Sequence, residues 1–133
     1  MRRRTFFERF VQQTNGFIFS LALIIARLVV GLLFFSAGVA KFNGWSAADY
    51  LENANGLFSN FFLSLAGSVW VDWLNIWGLT LIGLALIFGI LVRPASIAAI
   101  ALMLLYYVSD FYNNTAYGMI DLHIVLILLL VLF

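Results

Sequence analysis

The chain has 133 residues, of which 65% are hydrophobic and 10% charged, with a mean hydropathy of +1.07. Soluble domains are about half apolar and a quarter charged, so this chain has too little polar surface to coat a water-facing body, which excludes a separate soluble catalytic domain. With no cysteine, one histidine and a formal net charge of +1, thiol chemistry, thiolate-held clusters, multi-histidine metal centres and nucleic-acid binding are excluded as well.

Residues 1–16 are polar and basic, with Arg2, Arg3, Arg4 and Arg9 against Glu8, and read as a cytoplasmic tail. Within it Phe6, Phe7, Phe10 and Val11 recur at helical spacing beside arginines, the pattern of a short interfacial helix over residues 5–13. Residues 17–40 are apolar apart from Ser20, Arg27 and Ser36. At about 1.5 Å per residue they reach about 36 Å, enough to span a bilayer with tilt. The run is too long for the apolar core of a cleaved signal peptide and lacks a clear cleavage site, so it predicts an uncleaved first span.

Residues 41–73 form the long loop, expected to face outward. Ser46 with Asp49 three residues on has the form of a capping box, opening a short helix near Ala47 that Gly56 closes. Over residues 57–71, Leu57, Phe58, Phe61, Phe62, Leu65, Val69 and Trp70 recur at three- and four-residue steps, which predicts a second helix along the membrane surface. Residues 74–92 are an uncharged second span about 28 Å long, entered through Trp70, Trp73 and Trp77 at headgroup level and stopped by Arg93 and Pro94. A third span, 95–110, follows the proline and is closed by Asp110, Asn113 and Asn114; its Ala95, Ala98, Ala99 and Ala101 permit close helix contact. The fourth, 116–133, runs through Asp121 and His123. From Asn114 onward it is barely a bilayer thickness, and a tail beyond Phe133 would complete it.

The fold class is therefore all-α: one integral membrane domain, 1–133, built as a four-helix bundle with an interfacial helix in the first outward loop. Arg2, Arg3, Arg4, Arg9 and Arg93 fall on the side of the termini and Lys41 on the other. Both termini are thus expected in the cytoplasm and the protein in the cytoplasmic (inner) membrane, with lipid around it.

Few residues in the spans are able to carry chemistry. Arg27 is the costly one, because a cation in hydrocarbon is penalised by about 2.5–3.5 kcal/mol on insertion scales. It is read first as anchored near inner headgroups or bonded to a helix end, and second as facing a ligand or an ion pair. Asp121 and His123, if Asn114 marks the outer boundary, sit about 10 and 13 Å deep and point about 200° apart on a regular helix, so both face one ligand only if the helix start is irregular. His123 is read as a satisfied interhelical histidine ahead of a quinone hydrogen-bond partner, and that ahead of a haem or pigment ligand.

The outer half is rich in Trp73, Asn75, Trp77, Tyr106, Tyr107, Tyr112 and Tyr117, for which an aromatic belt is the default explanation. Against it, Tyr106, Tyr107, Asp110, Asp121 and His123 on two consecutive helices would offer a flat ring-shaped ligand such as a quinone both stacking surfaces and polar contacts. The ligand candidates are therefore Arg27, Tyr106, Tyr107, Asp110, Asp121 and His123. No catalytic constellation and no metal set is read.

Residues 27–42, RLVVGLLFFSAGVAKF, and 79–107, LTLIGLALIFGILVRPASIAAIALMLLYY, resemble the DoxX/DoxD family of small four-helix membrane proteins. The resemblance rests on Arg27, Gly31, a small-residue pair and Lys41 in the first block, and on Gly83, Gly89, Arg93 and an alanine-rich helix in the second. It implies a four-helix bundle linked to quinone-dependent oxidation, as in the small subunit of thiosulfate:quinone oxidoreductase, or to other membrane redox assemblies. The chain departs from the family at Leu79, where members often carry a glutamate, so a role resting on that acid does not transfer. The expected function is a non-catalytic accessory subunit docked through apolar helix faces to other subunits of a larger redox or respiratory complex. A quinone-reactive subunit is the alternative. A small-molecule transporter ranks behind both, for want of a broken helix or a repeat pair.

Overall fold

The structure, a computed structural model, describes residues 6–116 and 118–133, with no description of the side chains of residues 6–11 and 14. Arg2, Arg3 and Arg4 of the expected basic foot, and Tyr117 of the aromatic belt, thus lie outside what is described, as do the side chains of Phe6 and Arg9. The described helices are α1 Phe6–Ala40, α2 Ala48–Glu52, α3 Ser59–Leu65, α4 Val69–Phe88, α5 Val92–Ser109, α6 Phe111–Asn114 and α7 Leu122–Val131. Asn15–Ala40 within α1, and all of α4 and α5, are long and apolar enough to cross a membrane. The molecule is an all-α membrane protein.

The expected interfacial helix and first span are one continuous helix. Gly16 alone costs only about 1 kcal/mol in a helix interior and does not break it. In the loop, α2 begins after Ala47, but the expected Ser46–Asp49 capping box does not form. The carboxylate of Asp72, at the start of α4, takes that place: it accepts from the Ala47 amide at 2.7 Å and from the Ser46 hydroxyl at 3.0 Å. The surface helix predicted over 57–71 is split, since Gly67 takes φ +76° and Val69 already opens α4.

α4 thus starts five residues earlier than expected. It ends earlier too, because Gly89 adopts a left-handed φ of 71° and the Ile90 amide turns back to the Ala85 carbonyl at 3.0 Å. Pro94 falls in the first turn of α5, where its missing N–H leaves no intrahelical bond unmade. The fourth helix is the largest departure. The span expected over 116–133 is helical only from Leu122 to Val131, about 15 Å of rise, half of a hydrocarbon core. Asp121, read as sitting inside that helix, is instead its N-cap, with extended backbone and Oδ1 accepting from the Ile124 amide at 3.1 Å.

α1 packs closely along α4, and α5 along α7; α4 against α5 and α1 against α7 join the two pairs more loosely. Glycine makes the first pairing tight. A β-carbon on Gly83 would stand 2.6 Å from the Phe35 α-carbon, and one on Gly38 2.6 Å from the Thr80 amide nitrogen, so the backbones touch where lipid-immersed helices gain most from contact. The core between the pairs holds Val30, Phe34, Leu79, Ile82, Leu86, Ala99, Met103, Leu126 and Leu130. Ala95 and Ala99 of the small-residue stripe are buried, whereas Ala98 and Ala101 face outward. A second cluster, Ala47, Leu51, Phe62 and Val71, seats the loop helices on one end of the bundle.

Candidate functional site

Where the loop helices cap the bundle, the two pairs part around a cavity of about 470 Å³. Its apolar wall comes from Leu33, Phe34 and Ala37 of α1, Leu79 of α4, Met103 of α5, and Leu122 and Leu126 of α7. Its polar and aromatic wall comes from Lys41, Trp45, Tyr50, Tyr106, Asp110, Asn114 and His123. A volume of this size, with polar groups on one side of an apolar lining, falls in the range of small-molecule sites.

Of the six residues singled out in the sequence, Tyr106, Asp110 and His123 share this cavity. Three do not line it. Tyr107 is buried with its hydroxyl donated to the Met119 carbonyl at 2.9 Å, tying down the chain before α7. Asp121 stands behind the wall, with Oδ2 at 2.5 Å from His123 Nδ1. The irregular stretch between α6 and α7 lets these two residues meet, as a regular helix would not. It also places His123 beside Tyr106, ring centroids 6.1 Å apart, about one turn from the end of α5 rather than deep in the core.

Arg27 lies at the other end of α4. Its guanidinium packs over the C-cap, with Nη2 3.2 Å from where a β-carbon on Gly89 would stand, and its Nε is buried with no hydrogen-bond partner among the described residues. The cation there faces the negative end of the α4 dipole.

Lys41, Tyr50 and Asn114 complete the site but carry no local signal; only folding brings the end of α1, the loop and α6 to one level. Lys41 sits with Nζ 3.2 Å from the centre of the Trp45 ring. Its pKa is lowered from 10.5 to about 8 by burial, which outweighs the attraction of the ring for the charged form. Tyr50 is raised above its ordinary value, chiefly by burial, with the Ser109 hydrogen bond acting the other way.

A chain of bonds fixes the aromatic wall. The Tyr50 hydroxyl donates to the Tyr106 carbonyl at 3.1 Å and accepts from Ser109 at 2.9 Å, while the Tyr106 hydroxyl donates to Asn75 Oδ1. Tyr50 and Tyr106 meet edge to face at 5.9 Å. Asp110 is held by Asn113 at 2.7 Å and by the side chain of Asn55, whose own amide donates to the Ser109 carbonyl at 2.9 Å.

The DoxX family model matches residues 22–109, which takes in α1 from its first apolar turns through the end of α5. The chain belongs to the DoxX family. No curated protein and no solved structure matches it significantly. The DoxX segment supplies Lys41, Tyr50, Leu79 and Tyr106 to the cavity; Asp110, Asn114 and the Asp121–His123 pair follow it. Leu79 forms part of the apolar wall, and the carboxylates near the cavity stand at the end of α5, Asp110, and at the start of α7, Asp121.

Proposed function

We propose that this DoxX protein is a quinone-binding subunit of a redox assembly in the cytoplasmic membrane, both termini cytoplasmic. The observation that carries the reading is the cavity. It sets Phe34, Trp45, Tyr50 and Tyr106 around a space for a flat ring, with Lys41, Asn114, Asp110 and His123 at its rim and an aliphatic wall of Leu33, Leu79, Met103 and Leu126 for a hydrocarbon tail. Polar donors and acceptors beside apolar walls fit the amphipathic chemistry of that group. A bound quinone would supply a two-electron carrier soluble in the bilayer. The protein's own residues would bind and orient the ring. Orientation and membrane type rest on the excess of Arg2, Arg3, Arg4, Arg9 and Arg93 over Lys41.

A second reading, an accessory subunit without a ligand, draws support from the bonds that Tyr50, Tyr106 and Ser109 already make to one another. The test is the quinone content of the purified complex and of an Ala37→Phe variant, in which a ring added to an exposed cavity-lining position occupies the space. Quinone near one per chain, lost in the variant with all co-purifying subunits retained, is the expected result. Absence of quinone from the intact wild-type complex would leave the accessory reading.

A further inference from the structure

The Asp121–His123 pair bears on the hydrogen bond that His123 offers to the cavity. Asp121 Oδ1 accepts from the Ile124 amide at 3.1 Å, and Oδ2 lies 2.5 Å from His123 Nδ1. A carboxylate that is ionised only accepts, so the proton between them belongs to Nδ1, and an imidazole that carries this one proton holds a lone pair on Nε2. That nitrogen has no protein partner among the described residues, and the side chain, 27% exposed, lines the cavity.

Neighbouring hydroxyls do not change this. Tyr106 spends its proton on Asn75 and Tyr50 spends its proton on the Tyr106 carbonyl. Asp110, the nearby carboxylate of the rim, is likewise an acceptor. The donors in the lining are Lys41, just past the end of α1, the Trp45 indole N–H and the Asn114 amide, and the oxygens of a ring ligand accept from them whether they are hydroxyls or carbonyls.

We propose that the cavity binds the hydroxyl-bearing, reduced form of its ring ligand in preference to the carbonyl-bearing, oxidised form, through a ligand O–H donated to His123 Nε2. This rests on the quinone reading. A carbonyl oxygen set against Nε2 opposes two lone pairs and leaves both groups without a bond, whereas a hydroxyl satisfies the nitrogen.

The test is anaerobic equilibrium dialysis of the full chain in lipid nanodiscs against tetramethylbenzoquinone and, separately, its hydroquinone, with empty nanodiscs as blank. The hydroquinone is expected to bind about tenfold tighter or more. Asp121→Asn keeps a good helix cap but lets an amide N–H face Nδ1, which moves the histidine proton to Nε2; the preference is expected to shrink or reverse. His123→Phe keeps a ring in the wall and is expected to bring the two affinities together. A merely structural pair would weaken both ligands alike. Equal affinities in the wild type, or a ratio that neither variant moves, would overturn the proposal and leave the quinone reading standing. Binding of neither form above the blank would overturn both.

Discussion

The Tyr106 hydroxyl donates to the side-chain oxygen of Asn75, whose amide donates in turn to the Val71 carbonyl at 2.8 Å. α5 is thereby tied to α4 across the least closely packed seam between consecutive long helices, by a buried amide. Tyr106→Phe leaves the Asn75 oxygen unpaired. The expected loss is about 1 kcal/mol, at the modest end for buried bonds because membrane links are weaker than their burial suggests. Thermal unfolding in detergent reads it, and the double variant with Asn75→Leu should recover most of the loss.

Gly83→Ala is expected to be more damaging than any other single methyl group added to α4. Its β-carbon meets the backbone of Phe35, which cannot swing aside, so the α1–α4 pair must separate. A cost of about 2–3 kcal/mol follows from overpacking. Gly78→Ala, with no atom within 4 Å of its β-carbon, is the matched control and is expected to be neutral or slightly stabilising; equal melting of the two variants would contradict the seam.

Arg27→Leu removes the cation at the C-cap of α4. A favourable charge–dipole contact of about 1 kcal/mol disappears, and the melting temperature of the bundle is expected to fall. An unchanged melting profile would mean that the guanidinium reaches headgroups and gains nothing from the helix end.

Lys41 titrates near 8 rather than 10.5 because burial disfavours its charge. The folded chain therefore binds this proton less readily than the unfolded one. Below about 8 both states carry the charge and folding bears the full penalty; between about 8 and 10.5 the penalty fades as pH rises, and above 10.5 it is gone. Stability should thus climb with pH through that window, and the climb should be reduced in Lys41→Met. Amine acylation followed by mass spectrometry checks the titration directly, with half-protection expected near pH 8.

The three long spans were legible because a run of apolar residues of bilayer length has few alternatives. Their ends were less so. Residues 57–71 and 74–92 share one periodicity, and only the left-handed turn at Gly67 separates the surface helix from α4. The fourth helix was misjudged because apolar residues from Leu122 onward hide the fact that Asp121 takes up the role of a cap, which a continuous helical reading forbids. Tyr106, Asp110 and His123 were found as a cluster since they follow one another along two consecutive helices. Lys41 and Tyr50 were not, because they reach the cavity from 65 and 56 positions away from Tyr106 in sequence in a fold whose closure no local pattern encodes.

The glycine seam between α1 and α4 also sets how the molecule responds to temperature. A water-soluble core draws on water released from apolar surface, which carries a large heat-capacity change and makes stability fall away on cooling as well as on heating. Gly38 and Gly83 bring together surfaces that are covered by lipid when apart, so their contact releases hydrocarbon chains instead of water, and its energy lies in dispersion between touching backbones. Separation of this pair within the membrane should therefore show a heat-capacity change near zero, and cold should tighten the seam down to the freezing of the lipid itself.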